Sequence, residues 1–178
     1  MTGKVHAVAG VVIGVAGACA LVQMPEARAL FDNGLKDIVY ENITVGDVAN
    51  VGILVASSWL GSLLPDIDHP TSTMSKQFWF VSFPYRILQF IFGKFKATKD
   101  FVGHRGITHS ILFMLIPIVI MAFVHNPWVW ISMTGLTIGM FSHLIMDMLN
   151  PMGVPLLLPF ARKKFRLLPK KLCYKMNK

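Results

Sequence analysis

The stretch WVWISMTGLTIGMFSHLIMDML, Trp128–Leu149, decides the fold class because it is long and apolar enough to cross a bilayer. It carries His143 and Asp147 inside the apolar run, four residues apart and therefore on one face of a helix. Both side chains are costly in a membrane unless they are paired, solvated or bound to a cation. The stretch predicts a membrane-spanning helix with a functional polar pair; a His–Asp hydrogen bond that locks two helices is the structural alternative.

Three further apolar runs have nearly the length that a bilayer requires, namely Val5–Met24, Asp47–Leu64 and Ile107–Val124. Hydrophobic residues make up 54% of the 178-residue chain and charged residues only 15%, which is typical of a membrane protein. We therefore predict an all-α, polytopic membrane helix bundle with four transmembrane helices, forming a single domain over residues 1–178.

A fifth stretch, Phe78–Phe95, is aromatic and apolar, but it is interrupted by Pro84, Arg86 and Gln89. An arginine in the middle of a span is costly in lipid, so we interpret the stretch as an interfacial or re-entrant helical segment. An ordinary fifth crossing is the alternative, and it would reverse the sidedness of everything that follows.

Simple alternation of four spans brings the unusual polar residues to one face of the membrane. The starts of the first and third spans and the ends of the second and fourth lie on that face. His125 falls on the opposite side. The residues that share the face are His6, Asp66, Asp68, His69, His104, His109, His143 and Asp147.

The distribution of charge predicts the orientation. The formal net charge is +8, and the basic residues concentrate after the second span and in a tail at about 160–178. The positive-inside rule then places both termini and the polar cluster in the cytoplasm of a bacterial-type inner membrane. The tail is predicted to bind anionic lipid; it carries no recognisable nucleic-acid-binding motif, so we expect no nucleic-acid partner.

The motif LPDIDHP, Leu64–Pro70, supplies Asp66, Asp68 and His69 directly after the second span. Its prolines end the helix and stiffen the turn. Carboxylates and imidazoles together suit zinc, manganese or iron, although an ordinary solvated helix end has the same residue types.

The motif HRGITHS, His104–Ser110, supplies His104 and His109 on either side of a glycine that lets the chain bend. Thr108 or Ser110 is expected to cap the helix that follows. Arg105 is suited to hold a phosphate or a carboxylate. A capped helix start with a surface arginine is the structural alternative.

One metal site explains all of these residues together, whereas the separate structural interpretations need several coincidences on one face. The candidate ligands outnumber the four of a structural zinc site, so we expect one or two divalent ions, zinc first. A spare carboxylate such as Asp68 is predicted to act as a general base, and Arg105 to hold an anionic substrate. No organic cofactor is expected.

In these motifs and their order the chain resembles the YdjM-type family of membrane-bound metal-dependent hydrolases, some of which are called LexA-regulated. The resemblance rests on His6, LPDIDHP, HRGITHS and SHLIMDMLNPMGVPLL at Ser142–Leu157, and it covers nearly the whole chain. It implies hydrolase activity and a site formed by His6, Asp66, Asp68, His69, His104, Arg105, His109, His143 and Asp147.

The expected function is a metal-dependent hydrolase acting on a phosphoester-bearing lipid or a related amphiphile at the cytoplasmic membrane face. Arg105 beside two ligands and the level of the site near the headgroups favour that substrate class. A metal transporter or sensor and a structural metal protein without turnover are the alternatives. The sequence leaves the substrate and the oligomeric state open.

Overall fold

The computed structural model describes residues 3–24, 39–40, 43–95, 98–103, 105–169 and 172–173. Seven helices carry the described fold, with one minimal antiparallel β pair before the second helix. In chain order the elements are α1 (Gly3–Gln23), β1 (Val39–Tyr40), β2 (Ile43–Thr44), α2 (Val45–Leu63), a 3-10 helix (Leu64–Asp68), α3 (Thr73–Gln77), α4 (Trp79–Phe92), α5 (Lys99–Val102), a second 3-10 helix (Ile107–His109), α6 (Ile111–Phe123) and α7 (Pro127–Met148).

The long helices α1, α2 and α7 form the centre of the molecule, with α2 packed against both of the others. Small residues allow this close approach: a Cβ at Gly139 of α7 would collide with the carbonyl oxygen of Ser58 in α2. The same residue of α2 also contacts α1, because Ser58 Oγ donates a hydrogen bond of 2.8 Å to the carbonyl oxygen of Gly10. These close contacts set the positions of α1, α2 and α7 relative to one another, and they thereby position the polar side chains that these helices carry.

Filling the space between α2 and α7 is expected to destabilise the protein. In Gly139→Ala the new methyl group must displace the α2 backbone at Ser58, which we expect to lower the free energy of unfolding by about 1–3 kcal/mol. Gly52→Ala is the matched control, because a Cβ there meets nothing within 4 Å. Thermal unfolding in detergent should show a lower midpoint only for Gly139→Ala; equal midpoints would contradict the close contact.

Three helical segments are long and apolar enough to cross a membrane: Gly3–Gln23, Gly46–Asp68 and Pro127–Met148. They correspond to three of the four predicted spans, and the predicted all-helical character is confirmed apart from the short β pair. The fourth predicted span, Ile107–Val124, contains a 3-10 turn and a helix of only 13 residues, Ile111–Phe123. Its crossing of the membrane therefore stays a prediction.

The shorter fourth helix has a local cause. Ser110 is extended and its side chain accepts a hydrogen bond from the amide of Phe113, so the helix begins at Ile111. Of the two predicted capping residues, Ser110 is the one that caps. The predicted segment Phe78–Phe95 is helical over Trp79–Phe92, with Pro84 inside the helix.

The chain after α7 returns to the end of the bundle where α7 finishes. Leu167 N donates to the carbonyl oxygen of Met148 at 3.0 Å, and Ile111 N donates to that of Leu156 at 2.9 Å. A single antiparallel bridge joins Val154 to Phe165. The start of the predicted basic tail, at residues 160–169, is therefore folded against the bundle rather than extended from it.

Candidate metal centre

Helix α7 presents His143 and Asp147 on its inner face, and both side chains are buried. His143 Nδ1 lies 2.6 Å from the carbonyl oxygen of Ser62 in α2. A carbonyl oxygen only accepts, so Nδ1 carries the proton and donates it. In the neutral ring this leaves the Nε2 lone pair directed away from Ser62, as is usual for a metal-binding histidine.

Helix α1 contributes His6, whose ring stacks on that of His143 with the centroids 3.8 Å apart. His6 Nε2 lies 3.5 Å from Asp147 Oδ1. His6 Nδ1 is buried and makes no hydrogen bond within the part of the chain that the structure describes. A buried nitrogen in this condition is costly unless a ligand engages the ring.

The 3-10 turn after α2 brings in Asp66. Its Oδ1 lies 3.7 Å from His143 Nε2 and 3.9 Å from His109 Nε2. Asp66 retains 15% side-chain exposure, compared with 2% for Asp147, so it is the more open of these two carboxylates. Asp66 thus lies at the accessible edge of the His/Asp cluster.

The second 3-10 turn brings in His109, which is fully buried. Its Nε2 lies 3.3 Å from His143 Nε2 and 3.5 Å from Asp147 Oδ2. Its Nδ1 faces the opposite way, 3.1 Å from Thr108 Oγ1 and 3.6 Å from Asp68 Oδ2. Asp68 therefore lies behind the His109 ring, in the position of a carboxylate that orients a ligating histidine.

Two groups of ligand atoms within 4.8 Å of one another result, namely His6, Asp66 and His143, and His109, His143 and Asp147. They share His143. Because Nδ1 of His143 donates to Ser62, its Nε2 is left to face carboxylate oxygens of Asp66 and Asp147 and the Nε2 of His109, and a positive charge between these atoms would stabilise the arrangement. Imidazole and carboxylate donors at this spacing fit a divalent cation, so these buried groups could hold a metal ion.

Arg105 lies at the edge of this cluster in a left-handed backbone conformation, with a φ of 59°. Its Nη2 donates to Asp147 Oδ1 at 3.0 Å, and its backbone amide donates to Asp68 Oδ2 at 2.9 Å. Its Nε and Nη1 are buried without a hydrogen-bond partner among the described residues. Two unused donors of a guanidinium are suited to bind an anionic ligand.

Some predicted ligands lie apart from the two groups. Asp68 belongs to neither group, since its Oδ2 accepts from Arg105 N and from the Thr108 hydroxyl at 3.0 Å. His69 is also absent from both groups, and its Nδ1 lies 2.9 Å from Thr71 Oγ1. His104 lies outside the described residues. His125 is exposed in the α6–α7 loop, apart from both groups, in agreement with the sequence interpretation.

The structure adds residues that motif spacing does not reveal. Asn150 Nδ2 donates to Asp147 Oδ1 at 3.0 Å, and the Ser62 carbonyl orients His143. Gln89 of α4 donates to the carbonyl oxygen of Asp68 at 2.9 Å. The one sequence signal for Gln89 was that it interrupts an otherwise apolar stretch.

The Tyr85 side chain of α4 points toward Val102, which precedes Arg105 in the chain. Burial, with a smaller contribution from the charge of Asp68, raises the pKa of its phenol. The hydroxyl therefore stays protonated at neutral pH, and it lies 3.4 Å from the carbonyl oxygen of Val102, to which it donates.

The fold and the site together define a class: an α-helical membrane protein with a buried His/Asp cluster at one end of its helix bundle. Within that class, residues 1–174 match the family described as "YdjM inner membrane protein", and the chain belongs to this family. The family description and the apolar helices together support a location in a bacterial inner membrane.

Two curated relatives give the range of similarity. The chain is 36% identical over 118 residues to "Inner membrane protein YdjM" of Escherichia coli, covering 64% of this chain and 53% of that protein. It is 38% identical over 107 residues to "Uncharacterized protein YvsG" of Bacillus subtilis, covering 60% of this chain and 58% of that protein. The chain thus matches little more than half the length of these relatives. No solved structure matches it.

Proposed function

We propose that this protein is a membrane-bound metal-dependent hydrolase whose site lies at the cytoplasmic face of the inner membrane. The observation that carries the proposal is the convergence of His6, His109 and His143 with Asp66 and Asp147 at one buried point, next to an arginine with two unused donors. These five residues would hold the metal. A divalent cation in such a site lowers the pKa of water and polarises a phosphoester.

The remaining residues have roles that follow from their contacts. Arg105 binds the anionic group of the substrate through Nε and Nη1, while Nη2 keeps it against Asp147. Asp68 is a positioning residue, because its carboxylate holds the Arg105 amide and faces His109 Nδ1. The general-base role that the sequence suggested for Asp68 stays a prediction.

The substrate class that we propose is a phosphoester-bearing lipid. Arg105 supplies the charge for a phosphate, and the helices on which His6 and His143 lie are apolar enough to be surrounded by acyl chains. A four-crossing topology with both termini in the cytoplasm is part of the proposal. The short loop of residues 124–126 makes α6 and α7 antiparallel neighbours, so the start of α6 and the end of α7 lie at the same end.

Specific observations favour turnover over the two alternatives. A structural metal site is closed, whereas Asp66 remains partly exposed and Arg105 keeps donors for a further ligand. A transporter needs ligands along a path through the membrane. The metal-compatible groups found among the described residues lie at one end of the bundle.

The test is hydrolysis of defined lipids by the purified chain. Phosphatidic acid and phosphatidylglycerol in mixed micelles, with added zinc or manganese, should release headgroup or phosphate, and a chelator should stop the release. His109→Ala should abolish turnover, because Nε2 of His109 belongs to one metal-compatible group. His125→Ala changes the exposed loop histidine and should retain full turnover. Turnover that survives both the chelator and His109→Ala would contradict the proposal.

A further inference from the structure

Helix α4 has a polar stripe that faces the segments next to the metal centre. Four polar side chains recur with helical spacing, which places them on one face. At its start, Ser82 Oγ donates to the carbonyl oxygen of Ser75 at 3.4 Å, and Ser75 Oγ donates to that of Ile67 at 3.1 Å. The residues of the stripe are Ser82, Tyr85, Arg86 and Gln89.

Gln89 joins the two loops that form the site. Its Nε2 donates to the carbonyl oxygen of Asp68 at 2.9 Å and to that of Val102 at 2.8 Å. Arg86 Nη2 donates to the carbonyl oxygen of Pro70 at 3.0 Å. Since Asp68 belongs to the first loop and Val102 directly precedes the loop of Arg105, one amide nitrogen fixes the distance between them.

The connection continues into the site itself. Asp68 Oδ2 accepts from the Arg105 amide and from the Thr108 hydroxyl, and it faces His109 Nδ1 at 3.6 Å. Any separation of the two loops at Gln89 would therefore shift the carboxylate that orients both Arg105 and His109.

The opposite face of α4 is aromatic and exposed. Phe80 and Phe83 on this face are 61% and 55% exposed, and Trp79 and Phe90 at its border are 66% and 69% exposed, which is unusual for side chains of this size. Residues 73–95 contain no aspartate or glutamate, and Lys76 and Lys94 lie beyond the two ends of the helix. Aromatic side chains with flanking lysines and no acidic residue suit the headgroup region of an anionic bilayer.

We propose that α4 docks on the anionic membrane surface through its aromatic face and thereby holds the two site-forming loops together through Gln89. Anionic lipid bound to α4 then stabilises the assembled metal centre against separation of the two loops. The coupling deepens the proposed function, because it makes that site dependent on lipid composition. Gln89 acts as a positioning residue, and the partner of α4 is the lipid surface.

The test compares Gln89→Glu with Gln77→Glu in the full chain, reconstituted in nanodiscs of phosphatidylcholine with or without phosphatidylglycerol. Both variants carry the same substitution, but Gln77 is exposed at the end of α3, whereas Gln89→Glu removes the donor that joins the loops. Hydrogen–deuterium exchange of peptides containing Asp68 and Val102 measures loop opening without any metal. We expect exchange in both loops to be about tenfold faster in Gln89→Glu and unchanged in Gln77→Glu.

Two further measurements, of lipid dependence and of zinc affinity, distinguish a coupling between α4 and the metal centre from a general loss of structure. Phosphatidylglycerol should slow exchange of both loops in wild type and in Gln77→Met, which adds no negative charge to residues 73–95, but not in Gln89→Met. The zinc affinity of Gln89→Glu should be about 10–100-fold lower. If Gln89→Glu does not fold, Gln89→Met with Gln77→Met gives the same comparison.

Equal exchange rates in the Gln89 and Gln77 variants would overturn the role of Gln89. Exchange rates in wild type that are the same with and without phosphatidylglycerol would overturn the docking of α4. Unchanged zinc affinity in Gln89→Glu, with zinc bound by wild type, would overturn the coupling to the metal centre. Absence of zinc, manganese and iron from wild type would overturn the proposed function instead, and the exchange data would still decide whether α4 holds the loops.

Discussion

Replacing His143 with alanine is expected to remove the metal ion from the protein. His143 is common to both groups of ligand atoms, so its loss leaves neither group with its three members. Loss of a residue that merely orients a ligand lowers metal affinity by about 10–100-fold, so we expect a decrease of more than about 100-fold here. Elemental analysis of the detergent-purified protein should show stoichiometric zinc, manganese or iron in wild type and none in His143→Ala.

The controls must separate metal loss from loss of structure, because His143 is fully buried and stacks on His6. His143→Gln keeps polarity and much of the volume, and it should also lose the metal while remaining monodisperse on size exclusion. His69→Ala should keep the metal, since His69 belongs to neither group. Full metal content in His143→Gln would contradict the assignment, and so would equal losses in the His143 and His69 variants.

Much of the fold follows from hydropathy and length alone. The predicted first and fourth spans differ from α1 and α7 by two residues or fewer at each end, because a long apolar run with caps has few alternative structures. Asn126 and Pro127 illustrate the point: the Asn126 side chain accepts from the amides of Trp128 and Val129, and the helix begins at the proline. The third span differs, since hydropathy does not register the 3-10 turn at Ile107–His109.

Most members of the His/Asp cluster could be predicted from the sequence, because successive membrane spans run in alternating directions and this determines which span ends share a face. This alternation places His6, Asp66, His109 and Asp147 at one end of the bundle without any knowledge of packing, and the structure brings these four together with His143. Alternation does not distinguish a side chain that faces the cluster from one that faces away. His69 illustrates this limit, because it lies in the same motif as Asp66 but is in neither ligand group.

The supporting contacts were beyond sequence reasoning for a different reason. The Ser62 carbonyl is a backbone group, and its role depends on the close approach of α2 and α7. Gln89 acts on Asp68 across 21 positions of the chain, and Asn150 acts from beyond the end of α7. Such contacts are set by packing rather than by local spacing, so no period or motif in the sequence marks them.

Replacing Arg105 with lysine is expected to lower hydrolysis by about 100-fold or more while the metal content stays close to that of wild type. Lysine keeps a positive charge for Asp147 but has no planar fork, so it cannot also present the donors that Nε and Nη1 supply. Because neither group of ligand atoms includes Arg105, metal binding should survive. The measurement is kcat and KM for the lipid that wild type hydrolyses, together with elemental analysis of the same samples.

Arg86→Lys is the matched control, because Arg86 is exposed and its Nη2 donates to the Pro70 carbonyl outside the cluster. It should change hydrolysis by less than a factor of about three, as expected for a surface substitution. Both variants keep the side-chain charge, and lysine at position 105 must adopt the same left-handed backbone, so a difference between them reports the guanidinium itself. Equal activity of the Arg105 and Arg86 variants would remove Arg105 from the binding of substrate. Loss of the metal in Arg105→Lys would instead give Arg105 a role in holding Asp147 for the metal, because that ion pair is the contact that lysine must replace.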